Sequence, residues 1–232
     1  MKLQRETKNE ISGHGRWYGD ACGTAFAMEL IGERWSLLVV RELMFGARRF
    51  SDIRASLPGI SAKVLTERLA SLEEAGVLSR RQLPPPGKVQ VYELTEWGYA
   101  AEPLVQELGR WAARSSGHDP TLPLSPVSLM LSMRTMLDRA RVHELQGRRI
   151  GFVIGEDGFV AEPGRDALPI RRGDVAGADA VFRAADAATI AGGIYDVVPW
   201  EALERDAGLT IDGDRDLAMR YADLFGLPPK LA

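Results

Sequence analysis

The chain is poor in the residues from which active sites are usually built. A single cysteine, Cys22, among 232 residues excludes an internal disulfide and fits a reducing compartment. The three histidines, His14, His118 and His143, lie far apart and share no metal-ligand spacing with Cys22. No apolar run reaches the roughly 20 residues that span a bilayer. The opening MKLQRETKNE lacks the apolar stretch of a secretion signal. A cytoplasmic protein without membrane contact is expected. No phosphate-cradling glycine loop with a following Lys-Ser/Thr occurs, and no G-x-S-x-G elbow. DGDRDLAMRYAD, from Asp212 to Asp223, has the length of a calcium loop. Leu217 stands where glycine must make the sharp turn, and Asp223 where a bidentate Glu closes the site. We expect no enzyme, no metal and no cofactor, and assign no catalytic residue.

Charge of one sign is also scarce. The net charge of −3 argues mildly against nucleic acid, but its distribution is uneven. Residues 1–118 hold 16 Lys and Arg against 14 Asp and Glu, or +2, whereas 119–232 hold 13 against 18, or −5. With 45% hydrophobic and 26% charged residues the chain reads as folded and globular. The run SSGHDPTLPLSP, with three prolines, reads as a linker. This predicts a first domain over 1–118, a linker over 119–126 and a second domain over 127–232.

In the first half, Thr24–Ile31, Trp35–Met44 and RRFSDIRASL read as three helices. A fourth runs from Ser61 to Ala75, where Leu65, Leu69 and Leu72 recur at spacings of four and three and bury one face. Ser61 is a plausible N-cap and Gly76 a stop. Two short strands follow, joined by Pro84–Gly87 and flanked by Arg80, Arg81 and Lys88. A helix with one apolar face followed by a basic two-stranded flap is the layout of a winged helix-turn-helix. In that layout the helix enters the major groove and the wing lies on phosphates. The candidate DNA contacts are Ser61, Lys63, Thr66 and Glu67 on the helix, Arg68 toward a phosphate, and Arg80, Arg81 and Lys88 on the wing. An ordinary solvated helix face is the competing reading for Lys63 and Thr66. Thr95 is expected to cap one long last helix, TEWGYAAEPLVQELGRWAARS, kinked or broken at Pro103. Its apolar residues exceed what a small core needs, so Leu104, Leu108 and Trp111 are assigned to a homodimer interface.

Residues 22–114 resemble the HxlR-type regulators, a branch of the MarR-like winged-helix proteins. The resemblance rests on Cys22 before the first helix, IGERWSLLVVRELMFGARRFSDI, LPGISAKVLTERLASLEEAGVLSR, and YELTEWG opening the last helix. Gly23 departs from the proline that many members carry. The resemblance implies a dimeric transcription regulator on an inverted-repeat operator of double-stranded DNA. In some relatives the matching cysteine senses oxidants or electrophiles. A thiol at a helix N-terminus favours that role, while nearby Asp20 opposes it. A small buried hydrophobe is the simpler reading of Cys22.

In the second half, Val127–Leu145 reads as an amphipathic helix and RRIGFVIGEDGFVAEPG as a hairpin turning at Gly155–Gly158. Strands near Leu168–Arg171 and Ala180–Arg183, a helix in DAATIAGGIYD, a strand in GLTIDGD and a closing helix DLAMRYADLFG complete an α+β layer fold. The stretch from VFRAADAATIAGG to the closing helix resembles the later half of a sterol carrier protein domain. That resemblance implies a hydrophobic tunnel. Met133, Met136, Phe152 and Phe159 are its candidate lining, together with Ile194, Tyr195, Trp200 and Phe225, although each also reads as ordinary core. The expectation is an α+β chain, a winged helix followed by a sterol-carrier-like domain, regulated by an apolar small molecule. The alternatives are a thiol-responsive regulator sensing through Cys22, and a lipid-binding protein whose winged helix makes protein contacts.

Overall fold

The computed structural model describes residues 18–84 and 89–231. The opening decapeptide, His14, the tip of the wing loop and Lys88 lie outside them. Four helices open the chain: α1 (Gly23–Ile31), α2 (Ser36–Glu42), α3 (Phe50–Ser56) and α4 (Ala62–Glu74). On α4 the residues Leu65, Leu69 and Leu72 are buried, as their spacing predicts. Ser61 caps it, its Oγ accepting from the Val64 N–H at 3.2 Å. At its other end Gly76, at φ +72, takes the left-handed turn that releases the chain into the wing. Strands β1 (Leu78–Gln82) and β2 (Gln90–Leu94) pair antiparallel, Leu78 opposite Leu94. Arg48 adds an isolated antiparallel bridge to Tyr92, so the segment before α3 edges the wing.

The expected long last helix is broken in two, α5 (Glu96–Tyr99) and α6 (Glu102–Ala113). Thr95 caps α5 by accepting from the Gly98 N–H. Pro103 falls in the first turn of α6, where its missing N–H is tolerated, so the interruption sits at Ala100–Ala101.

Beyond the proline-rich stretch come α7 (Pro126–Met136), a 3-10 turn (Val142–Leu145) and the hairpin β3 (Ile150–Ile154) with β4 (Asp157–Ala161). The remaining elements are β5 (Ile170–Arg172), β6 (Ala180–Ala184), α8 (Ala187–Ile194), α9 (Trp200–Asp206), β7 (Thr210–Gly213) and α10 (Arg215–Ala222). The helix expected over Val127–Leu145 ends early, at Met136. Leu137 turns to extended backbone and bridges Phe225, and the Asp138 N–H donates to the Leu224 carbonyl at 2.8 Å. Pairing with a distant segment replaces the helical ladder there. The hairpin turn is also tighter than expected. Ile154 pairs with Asp157, leaving only Gly155 and Glu156 between the strands and placing Gly158 inside β4. The reading of the sequence did not delimit α9.

Strand order is β5-β4-β3-β6-β7, with β3 and β6 parallel at the centre and the other pairs antiparallel. Helices α8 and α10 lie against β6, and α7 touches α8, α6 and α2. Through α7 the buried residues of the two halves form one continuous core, from Val39 and Leu65 to Phe152 and Tyr221.

Candidate nucleic-acid interface

Helix α4 presents Lys63, Thr66 and Glu67 to solvent on the face opposite its leucines. The Lys63 side chain is 86% exposed and stands 4.0 Å from Glu67 across one turn. Two of the polar candidates are partly committed to the helix itself. The Ser61 oxygen serves the cap, and the Thr66 hydroxyl donates to the Ala62 carbonyl at 2.9 Å. Arg68 is placed differently from its neighbours. Its side chain is only 13% exposed and pairs with Glu33 at 3.0 Å, clamping α4 to the turn before α2. It belongs to the packing behind the helix more than to its outer face.

On the wing, Arg80 lies 3.6 Å from Glu73 and Arg81 is 2.5 Å from Glu93. Both arginines remain about half exposed, and ion pairs this exposed are weak enough for a phosphate to compete. Lys88 lies outside the described residues. The structure thus brings Lys63, Thr66 and Glu67 together on one face, with Arg80 and Arg81 on the adjacent wing.

On α6, Leu104, Leu108 and Trp111 share one face and are all exposed, Trp111 by 73%. Spacings of four and three align them along the helix.

Cys22 occupies the N-cap position of α1 and is exposed. The N–H groups of Ala25 and then Thr24, followed by the Thr24 hydroxyl, stabilise its thiolate and lower the thiol pKa. Asp20 was expected to oppose this. Its carboxylate lies beside Cys22 and accepts the backbone N–H at 2.9 Å.

The profile of the HxlR-like helix-turn-helix family matches residues 30–119. The regulator YvaP of Bacillus subtilis, named as an uncharacterized HTH-type transcriptional regulator, is 41% identical over 87 residues. The match spans 37% of this chain and 80% of YvaP. The chain belongs to the HxlR-like helix-turn-helix family. A second relative, the HTH-type transcriptional regulator YodB of the same organism, is 41% identical over 86 residues, 37% of this chain and 77% of YodB. The reduced form of YodB, a solved structure, aligns with a TM-score of 0.39 at 36% identity, over 43% of this chain and all of that one.

The tunnel candidates lie mostly in packed interior. Met133, Phe152, Phe159, Ile194 and Phe225 are buried, while Met136, Tyr195 and Trp200 are partly so. Phe152 stacks on Phe182 with centroids 5.4 Å apart, Trp200 lies 5.5 Å from Phe182, and Tyr221 lies 5.0 Å from Phe225. Tyr195 and Ser132 hydrogen-bond to each other, and burial pushes the Tyr195 phenol well above its ordinary pKa.

The residues that reading the sequence missed lie where the two halves meet. Glu42 is fully buried at the end of α2. It accepts from Arg41 Nη2 at 2.8 Å and from the Ser125 hydroxyl at 2.7 Å. Arg134 on α7 grips both Glu102 oxygens, at 2.8 and 2.9 Å, and its guanidinium lies 4.6 Å from the centre of the Phe45 ring. One signal was available. An acid beside Val39, Val40 and Leu43 on a helix this apolar has to find a cation or a donor.

Proposed function

We propose that this HxlR-like protein is a dimeric regulator that reads an inverted-repeat DNA operator and yields it to a small-molecule effector. The observation that carries the reading is the exposed outer face of α4 beside a wing bearing Arg80 and Arg81. The N-terminal turn of α4 enters the major groove, and Lys63 and Thr66 reach base edges there. The wing arginines contact phosphates. Pairing of Leu104, Leu108 and Trp111 with the same face of a second copy sets two such helices about one DNA turn apart. The C-terminal half, joined to α2 and α6 through α7, is the sensory part.

A gel shift on the chain's own upstream region tests the reading. Lys63→Ala should cost about 1–3 kcal/mol on the operator and relax sequence preference at the position it reads. Changing Arg81 should weaken all DNA alike and reduce the salt slope by about one unit. Unchanged affinity in a Lys63→Ala/Thr66→Ala variant would remove α4 from the interface. Leu108→Asp should yield monomers and lose tight operator binding with them, as light scattering on the same samples will show.

The lowered pKa of exposed Cys22 supports a second reading, in which oxidants or electrophiles act on that thiol to release DNA. Cys22→Ser should then bind the operator normally and ignore oxidants.

A further inference from the structure

We propose that the cleft between α2, α3 and the linker is a ligand site for an amphipathic aromatic anion, and that this is where the effector binds. The regulatory use of the site rests on the effector-responsive reading above, but its existence as a site does not.

The cleft holds about 730 Å³, within the range of roughly 300–1,000 Å³ typical of small-molecule sites. Both halves of the chain build it. One wall is α2 and α3, a second is the stretch from Pro123 to Ser128, and the β3–β4 turn supplies a third. Trp35, Leu38 and Leu124 offer apolar and aromatic surface. Arg41, Arg49, Asp52, Glu156 and Asp157 also line it, and Arg48 is its buried cation.

Arg48 lines the cleft with a side chain only 10% exposed. Among the described residues its guanidinium donates no hydrogen bond, and its buried Nη1 has no acceptor. The nearest carboxylate oxygen, Glu42 Oε2, is 3.8 Å away, beyond hydrogen-bond reach. The other oxygen of Glu42 is already held by Arg41 and Ser125. Glu42 balances the charge of Arg48 without accepting from it, so the buried Nη1–H keeps an unmet hydrogen bond that an anionic ligand would supply. Nearby acids are poor substitutes. Asp157 is committed to Arg172, and Glu156 is exposed at the rim.

A ligand here would wedge the linker away from α2, which packs on α4. Binding would therefore differ between two spacings of the halves, the condition for shifting DNA affinity.

Fluorescence titration of the full chain with 8-anilinonaphthalene-1-sulfonate tests the site, with the uncharged N-phenyl-1-naphthylamine as comparison. The sulfonate should bind saturably. Arg48→Met should weaken it by about tenfold or more and the neutral probe by about twofold or less. Ala55→Trp, on the exposed wall of the cleft, should weaken both probes. Ile194→Trp, in the C-terminal interior, should leave both unchanged. Circular dichroism should report a native fold for each variant. Equal loss of the two probes in Arg48→Met would overturn the anion assignment. Loss in Ile194→Trp with none in Ala55→Trp would overturn the location. If the sulfonate binds as expected while operator affinity ignores it, the site stands and the effector-responsive reading falls.

Discussion

Glu42 is a carboxylate without solvent exposure at a point where α2, the linker and Arg48 meet. Removing one member of a buried charged group leaves the others uncompensated, which costs more than the group contributes as a whole. Glu42→Gln should therefore lower stability by about 3 kcal/mol or more, read from urea unfolding midpoints. Ser125→Ala should cost about 1 kcal/mol, and the two losses should be less than additive, because they remove one shared contact. Full additivity would mean that the linker does not sense Glu42. Cys22 gives the second prediction at this scale. The Ala25 and Thr24 N–H groups at the start of α1 favour its thiolate, so the thiolate persists to lower pH than in a free cysteine. Alkylation by iodoacetamide should lose half its rate at a pH below that of glutathione. Thr24→Val should move this midpoint up only in part, since the Ala25 N–H is the larger cause. A midpoint at or above that of glutathione would count against the thiol-sensing reading.

At the scale of elements, the wing is locked to the start of the last helical pair at Gly98. A Cβ there would stand 2.0 Å from the Val77 carbonyl oxygen, which accepts the Thr95 N–H and belongs to backbone that cannot yield cheaply. The YELTEWG run thus needs glycine for close approach rather than for an unusual φ. Gly98→Ala should destabilise by about 2 kcal/mol or more and reduce operator affinity through misplacement of the wing. Gly109→Ala makes a suitable control, because its added Cβ would meet only the Thr135 methyl at 4.0 Å. If thermal melts cannot distinguish the two variants, the proposed contact is relaxed in solution.

For the whole molecule, the proline-rich stretch is less of a tether than its composition predicts. Ser125 is buried, Val127 has no exposed surface, and Phe45 packs edge-on against Phe159 with centroids 5.8 Å apart. The Leu231 N–H donates to the Arg114 carbonyl at 2.7 Å, and the Lys230 ammonium donates to the Ser115 and His118 carbonyls. Halves sharing this much buried surface should unfold together. Calorimetry should show one transition, with the van't Hoff and calorimetric enthalpies equal, and two separated transitions would make the halves independent units. A fragment ending at 118 would leave Glu42 without Ser125 and α2 without α7. It should melt well below the full chain.

The sequence by itself determined what depends on neighbours three or four residues apart. Leu65, Leu69 and Leu72 specify the buried face of α4, Ser61 and Thr95 announce their caps, and alternation with a glycine turn marks the β3–β4 hairpin. These signals are local because helix periodicity, capping and turn conformation are satisfied within one or two turns of chain. Only the tertiary structure decided the rest. It ended α7 at Met136 by pairing Leu137 with Phe225, set Phe152 against Phe182 in the interior of the second half, and turned Arg68 inward to Glu33. It also brought Ser125 to Glu42 across 83 residues and left the Arg48 Nη1 lining a cleft at ion-pair distance from Glu42 but without a hydrogen-bond acceptor. Contacts of that kind follow from how two apolar faces meet once the chain has collapsed. No periodicity in the sequence records which distant charge a buried carboxylate will find.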